Sequence, residues 1–268
     1  MLKQSLNGNW QFRRTDSDWL PAYVPGSVYA DLLREKKIED PYYRENESAA
    51  FDALRHSYEY QRTFSVDAEL LDCEAVQLCC EGLDTLCSLF INGIPIGKAN
   101  NMHRIWLFDV RSALHKGEND ILIRFDSPIV YALNEYEKRP CWGMTDAIPG
   151  FSHLRKAHSM FGWDWGARLP DAGIWRPISL LGITGARIQS VRIEQQHDEN
   201  GVLLRFFPEI EMRLFAFSFF CGANIEFLIG LFIRFSVIDF VYFSYFHRFI
   251  PNRRQYSTNR TIRSRIKQ

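Results

Sequence analysis

The sequence predicts an all-β fold, an antiparallel sandwich of the jelly-roll kind, on three observations. Short apolar runs of strand length recur at regular spacing from residue 58 onward. An Asn-Gly pair at 92–93 and a KGEN stretch at 116–119 supply turn signals between them. Evenly spaced short strands punctuated by such turns are the signature of sandwiches and barrels.

The elements follow in order. Asn7-Gly8 mark a turn before a short strand carrying Trp10 and Phe12, and VPGSVYADLLREKK (24–37) reads as a loop feeding a short helix, with Val28, Leu32 and Leu33 on one face. Tyr58, Tyr60 and Arg62 alternate with Glu59 and Gln61; VQLCCEG (76–82) and LCSLFI (86–91) have the composition of buried strands, and the turn at 92–93 leads into IPIG. WLFDV (106–110) and ILIRF (121–125) add two more strands. Residues 128–160 then break the rhythm as a long connection containing Pro140, Trp142 and Pro149. Connections beyond about 12–15 residues in a compact domain are usually functional or disordered. The chain returns to strand in IWRPISLLGI (174–183), and ARIQSVRIEQQ (186–196) alternates Ile188, Val191 and Ile193 as a second sheet would begin.

Beyond that point the composition changes. Phe206 to Ile250 hold thirteen phenylalanines in 45 residues, against eight in the preceding 205, and residues 206–268 carry nine Lys/Arg against four Asp/Glu. This reads as sequence foreign to the fold, such as a shifted reading frame, which the underlying nucleotides in their other frames would settle. Residues 227–246 are long enough to cross about 30 Å of bilayer, but Arg234 and Asp239 fall inside them. Each charge at a helix centre costs roughly 2.5–3.5 kcal/mol, which weighs against a membrane span.

Composition excludes several classes. Of 268 residues 46% are hydrophobic and 24% charged, with a formal net charge of zero, so the chain is an ordinary globular one. No basic stripe marks residues 1–205 as a nucleic-acid surface. Cys73, Cys79, Cys80, Cys87, Cys141 and Cys221 show neither a CxxC pair nor zinc spacing, and Cys79, Cys80 and Cys87, inside strand-like apolar runs, read as buried thiols. His153 and His158 lie near Asp146 and Asp164 but lack a third ligand at a suitable spacing, so no metal is expected. There is no phosphate-binding glycine loop, and no cofactor is expected. MLKQSLNGNW lacks the apolar core of a signal peptide, so the expected location is cytoplasmic.

The most distinctive stretch is FGWDWG (161–166), followed by GIWRP. Together with LNGNWQF (6–12), VPGSVYADLL (24–33), DPYYRENE (40–47), EGLDT (81–85), FINGIPIGKANNM (90–102) and FDSPIV (125–130), it resembles the N-terminal part of the β-mannosidases of glycoside hydrolase family 2, in order from about residue 5 to residue 196. The resemblance implies a galactose-binding-like sandwich at 1–184, the first strands of an incomplete immunoglobulin-like domain at 185–205, and an atypical Phe-rich then basic tail at 206–268. It also implies that the chemistry belongs to a (β/α)₈ barrel. About 250 residues are typical of such a barrel, and that length does not remain after residue 196, so the chain reads as truncated, with no catalytic residues of its own.

In similar enzymes the WDW loop reaches the sugar pocket, which makes Asp164, Trp163 and Trp165 the implied substrate-binding residues and a β-mannoside or mannose-containing oligosaccharide the implied partner, alongside the missing catalytic barrel. Physically, indole faces suit the CH-rich face of a sugar, and an ionised carboxylate accepts strong bonds from hydroxyls. Gly162 and Gly166 allow a sharp turn, while Arg155, Lys156 and Arg168 are candidates for holding or orienting the loop. The structural alternative makes Trp163 and Trp165 packing anchors and Asp164 a turn residue bonded to its own backbone; for Trp10, Trp106, Trp142 and Trp175 packing is the preferred reading. Asn46-Glu47 and Asn134-Glu135 match the family's Asn-Glu acid/base pattern but fall in the first domain, where they are not catalysts. The lesser functional readings are a free carbohydrate-binding module and a membrane-anchored interaction module.

Overall fold

The computed structural model describes residues 1–164, 166–198 and 201–212. Two compact units divide the chain at Ile183/Thr184. Trp165, Cys221, the 227–246 segment and the tail from 213 onward lie outside the described residues.

The first unit opens with three strands, β1 (Leu2–Ser5), β2 (Gly8–Arg14) and β3 (Leu20–Val24), then helices α1 (Val28–Arg34) and α2 (Asn46–Ala53). Strand β4 (Tyr58–Ser65) and the short helix α3 (Ala68–Leu71) precede β5 (Ala75–Cys80), β6 (Leu86–Ile91), β7 (Ile94–Asn100), β8 (Trp106–Asp109) and β9 (Glu118–Phe125). Helix α4 (Pro128–Lys138), the paired strands β10 (Phe161–Trp163) and β11 (Gly166–Arg168), and β12 (Ile178–Ile183) complete it. A four-stranded sheet ordered β1-β12-β5-β8 and a six-stranded sheet ordered β3-β2-β4-β9-β6-β7 share one apolar core, the all-β sandwich expected from the strand spacing. Among the described residues every pairing between named strands is antiparallel, with one isolated parallel bridge between Asn101 and Arg155.

Burial follows the pleat where one face is wet. In β9 Ile121, Ile123 and Phe125 point inward, and in β6 Cys87, Leu89 and Ile91 do. Strands β5 and β12 are buried at every position, in keeping with their largely apolar sequences, interrupted by buried Gln77 and Ser179. Helix α3 closes the outer side of β12: a side chain at Gly182 would strike the Cys73 sulfur at 2.6 Å and Leu70 at 2.7 Å. The two turn signals interlock. Asn92 and Gly93 both adopt positive φ, and the Asn92 amide donates to Ala113 O and to Asn119 Oδ1, each at 2.8 Å. Cys73, Cys79, Cys80 and Cys87 are buried free thiols and Cys141 is half-buried.

Three sequence expectations need correction. The stretch 128–160 is not one long connection, because α4 occupies its first third behind a Ser127 cap whose hydroxyl accepts from Val130 N–H at 3.2 Å. Leu33 is exposed on α1, while Val28 and Leu32 are buried. Trp142 does not pack, being 98% exposed.

The second unit contains, among the described residues, the hairpin β13 (Ala186–Asp198) and β14 (Gly201–Met212), in antiparallel register over its length. Residue 206, where the composition changes, falls within β14. No helix of the described residues is long and apolar enough to cross a membrane.

Candidate functional site

Residues 161–168 form a tight hairpin, Phe161 pairing with Arg168 and Trp163 with Gly166, so that Asp164 sits at its tip. Asp164 is exposed and Trp163 is 45% exposed, whereas Phe161 at the hairpin's foot is completely buried. The contrast separates anchor from display. Phe161 packs at 5.6 Å from the Phe151 ring, which in turn meets His158 edge-on at 5.0 Å. Gly162 has φ +92°, and a Cβ there would lie 2.4 Å from Arg168 Cγ, so both conformation and the arginine stem demand glycine.

The structure thus brings Trp163 and Asp164 together at an outward-facing tip; Trp165 falls outside the described residues. The three basic candidates separate. Arg168 is held by α2: its backbone N–H and its Nε–H both donate to Glu47 Oε1 at 3.1 Å, and its guanidinium lies 5.7 Å over the Phe51 ring. Lys156 is only 3% exposed and faces inward, ion-paired with buried Asp84 and donating to Asp171 O at 2.8 Å. It braces a buried junction at which Asp84 and Gly173 exchange backbone hydrogen bonds at 2.9 and 2.8 Å. Arg155 is exposed, and its backbone carbonyl accepts from Met102 N–H at 3.0 Å.

Asp171 belongs to the same buried junction through its carbonyl, which accepts from Lys156. Its carboxylate accepts from Tyr29 N–H at 3.1 Å and Ala172 N–H at 2.8 Å, yet burial outweighs these bonds and pushes it up to about 6. Asp31, fully buried, accepts from the Tyr60 hydroxyl at 2.9 Å and is likewise raised by burial.

Neither Asn-Glu pair is placed for acid/base work. Glu47 is engaged with Arg168, and Glu135 takes a hydrogen bond from Lys138 at 2.8 Å that holds its carboxyl below the usual range. A general acid needs the opposite shift. His153 and His158 turn to separate backbone partners, Arg139 O at 2.9 Å and Leu154 O at 3.1 Å. Among the described residues no three His, Cys, Asp or Glu side chains form a metal-holding group. A cleft of about 600 Å³ lies elsewhere, beside Arg14, Arg55, His56 and Arg124. Arg55 is paired with Asp52 and Arg124 with Glu59, and the cleft lacks the aromatic wall a sugar face needs. Glu47 and Phe51 are the residues sequence reasoning missed; DPYYRENE was visible, but nothing local ties it to a loop 121 positions away.

Two antiparallel sheets around one apolar core, with the 161–168 hairpin projecting its tip outward, define the first unit as a β-sandwich domain. The chain belongs to the family of glycosyl hydrolase 2 galactose-binding domain-like sequences, which it matches over residues 10–176. It is 34% identical over 185 residues to the beta-mannosidase of Capra hircus, covering 66% of this chain and 21% of that protein. It is 32% identical over 220 residues to beta-mannosidase B of Aspergillus terreus, covering 78% of this chain and 26% of that protein. The crystal structure of the beta-D-mannosidase of Dictyoglomus thermophilum superposes with a TM-score of 0.73 at 32% identity, over 80% of this chain and 26% of that one. An Amycolatopsis orientalis exo-chitosanase, with TM-score 0.54 and 14% identity over 80% of this chain and 25% of that one, shares the fold. The chain spans about a fifth to a quarter of the length of these relatives.

Proposed function

We propose that this chain is the N-terminal sandwich of a β-mannosidase-type glycoside hydrolase, and that its hairpin tip contributes to holding the terminal β-mannose of the substrate. The observation that carries the reading is the exposure of Trp163 and Asp164 on a hairpin whose foot, Phe161, is completely buried. A ring and a carboxylate presented side by side can offer a sugar one apolar contact and strong hydrogen-bond acceptance together. Hydrolysis with retention requires two carboxylates about 5–5.5 Å apart, and the family resemblance puts that pair on a (β/α)₈ barrel, outside residues 10–176 that match the galactose-binding domain-like family. The chemistry is therefore assigned to a separate barrel, with this chain in a binding role.

The test is a chimera in which residues 1–183 replace the matched segment of the Dictyoglomus thermophilum enzyme, assayed on a chromogenic β-mannoside. Asp164→Ala should lower kcat/KM by roughly tenfold to a hundredfold, the worth of one charge-assisted hydrogen bond. An active chimera indifferent to Asp164→Ala would remove the hairpin from the substrate site. The purified chain alone should show no turnover, and tight mannoside binding by it would favour a free carbohydrate-binding module instead.

A further inference from the structure

We propose that Glu47 is a positioning residue for the hairpin tip, acting through Arg168; the inference deepens the substrate-binding reading above and rests on it. A two-stranded ribbon with only two paired positions is marginal by itself in water. Something outside it must hold Asp164 in a fixed place. The foot is fixed by Phe161 in the core and by Leu169 N–H, which donates to Met160 O at 2.7 Å, whereas Arg168, the last residue of β11, is exposed. Glu47 Oε1 takes both the backbone N–H and the Nε–H of that residue, so one oxygen fixes the backbone of β11 and the direction of its side chain together.

The same helix adds a second hold. Phe51, one turn beyond Glu47, lies under the Arg168 guanidinium, and Gly162 leaves the space across which the arginine stem runs. Register on α2 is thereby transmitted to the tip: helix, carboxylate, arginine, strand, aspartate. The side chains of Arg168 and Glu47 are 48% and 31% exposed, so the contact contributes little to overall stability. That separation between local order and global stability makes the role testable.

Hydrogen exchange on the full chain reads it directly. Glu47→Ala should speed exchange of the Arg168 amide about threefold to tenfold, while the amides of β4, β5 and β9 keep their rates. Glu47→Gln, which retains an acceptor for the backbone N–H, should recover most of the protection, and Arg168→Lys should leave that amide protected while removing the Nε–H bond. Unchanged exchange at Arg168 in Glu47→Ala would overturn the proposal. So would equal acceleration throughout the sandwich, since Glu47 would then be an ordinary stability residue. In the chimera, Glu47→Ala should lower kcat/KM through KM, with partial rescue by Glu47→Gln. Loss of the Asp164 effect with the exchange result intact would refute the substrate reading and leave the anchor standing.

Discussion

At the scale of single residues, the buried carboxylates make the sandwich sensitive to pH in opposite directions. Asp171 has its folded value raised to about 6, above the ordinary carboxylate value, so the folded state binds the proton more tightly than the unfolded chain. Its contribution is complete below about pH 4 and is lost as pH rises through about 6. Asp171→Asn, which keeps an oxygen for Tyr29 N–H, should therefore stabilise the chain at pH 7 by about 3 kcal/mol and change it little at pH 4. Urea midpoints of variant and parent across pH 4–7 check this, and parallel curves would show that Asp171 does not titrate there. Glu59 works the other way. Burial opposes its ionisation, but hydrogen bonds from Arg124 and Arg13, with contacts down to 2.7 Å, hold its carboxyl low. Its stabilising share is present above about pH 4.3 and lost on further acidification. Lys156 shows why such residues were illegible in the sequence. It stood beside the distinctive loop and read as a candidate for orienting it, but its partner Asp84 lies 72 positions away, and no local pattern announces a long-range buried pair.

At the scale of elements, turns were read well and helices unevenly, α1 being expected from 24–37 and α4 not. The strands around Asn92-Gly93 and Gly117 were legible because those turns need positive φ, and few residues supply it cheaply. Helix α4 was missed although its start is conventional, a Ser127 cap followed by Pro128 at the first helical position. The prolines and glycines that follow it drew the whole stretch into one loop. What turns the chain back along α4 is Gly150, with φ +79° and no room for a side chain: a Cβ would lie 2.1 Å from Ala132 O and 2.8 Å from Tyr136 Cβ. Gly150→Ala should cost about 2–4 kcal/mol, combining backbone strain with a clash that no rotamer relieves. Gly93→Ala meets nothing within 4 Å and should cost only about 1 kcal/mol from its φ. Denaturant midpoints of the two variants make the comparison, and equal losses would mean that the segment around Gly150 shifts to make room.

At the scale of the whole molecule, the sandwich closes late, and among the described residues the second unit carries an exposed apolar stripe. Strand β1 has β12 as its sheet neighbour, Leu2 pairing with Gly182 and Ser5 with Ser179, so the four-stranded sheet is incomplete until residue 183 has been made. In the β13–β14 hairpin the register sets Val191 opposite Pro208 and Ile193 opposite Phe206, and a bulge after Ile188 keeps Ile188 and Ile210 on that same face. The other face carries the Arg187–Glu211 pair and Arg192 over Phe207. Ile188, Val191, Ile193, Leu204 and Phe206 are each 44–63% exposed, an apolar stripe of the kind that drives association. The ribbon's strands add backbone edges able to pair with other chains. A chain shortened to residue 184 keeps both sheets of the sandwich and loses the stripe, so it should yield a higher soluble fraction with the sandwich's thermal transition retained. A chain ending at residue 172 loses β12, separating β1 from β5, and should show no cooperative transition. Should the 184-residue chain prove less soluble or less stable than the full one, residues beyond 184 would have to pack productively on the sandwich. The composition change at 206 could then no longer be read as foreign sequence.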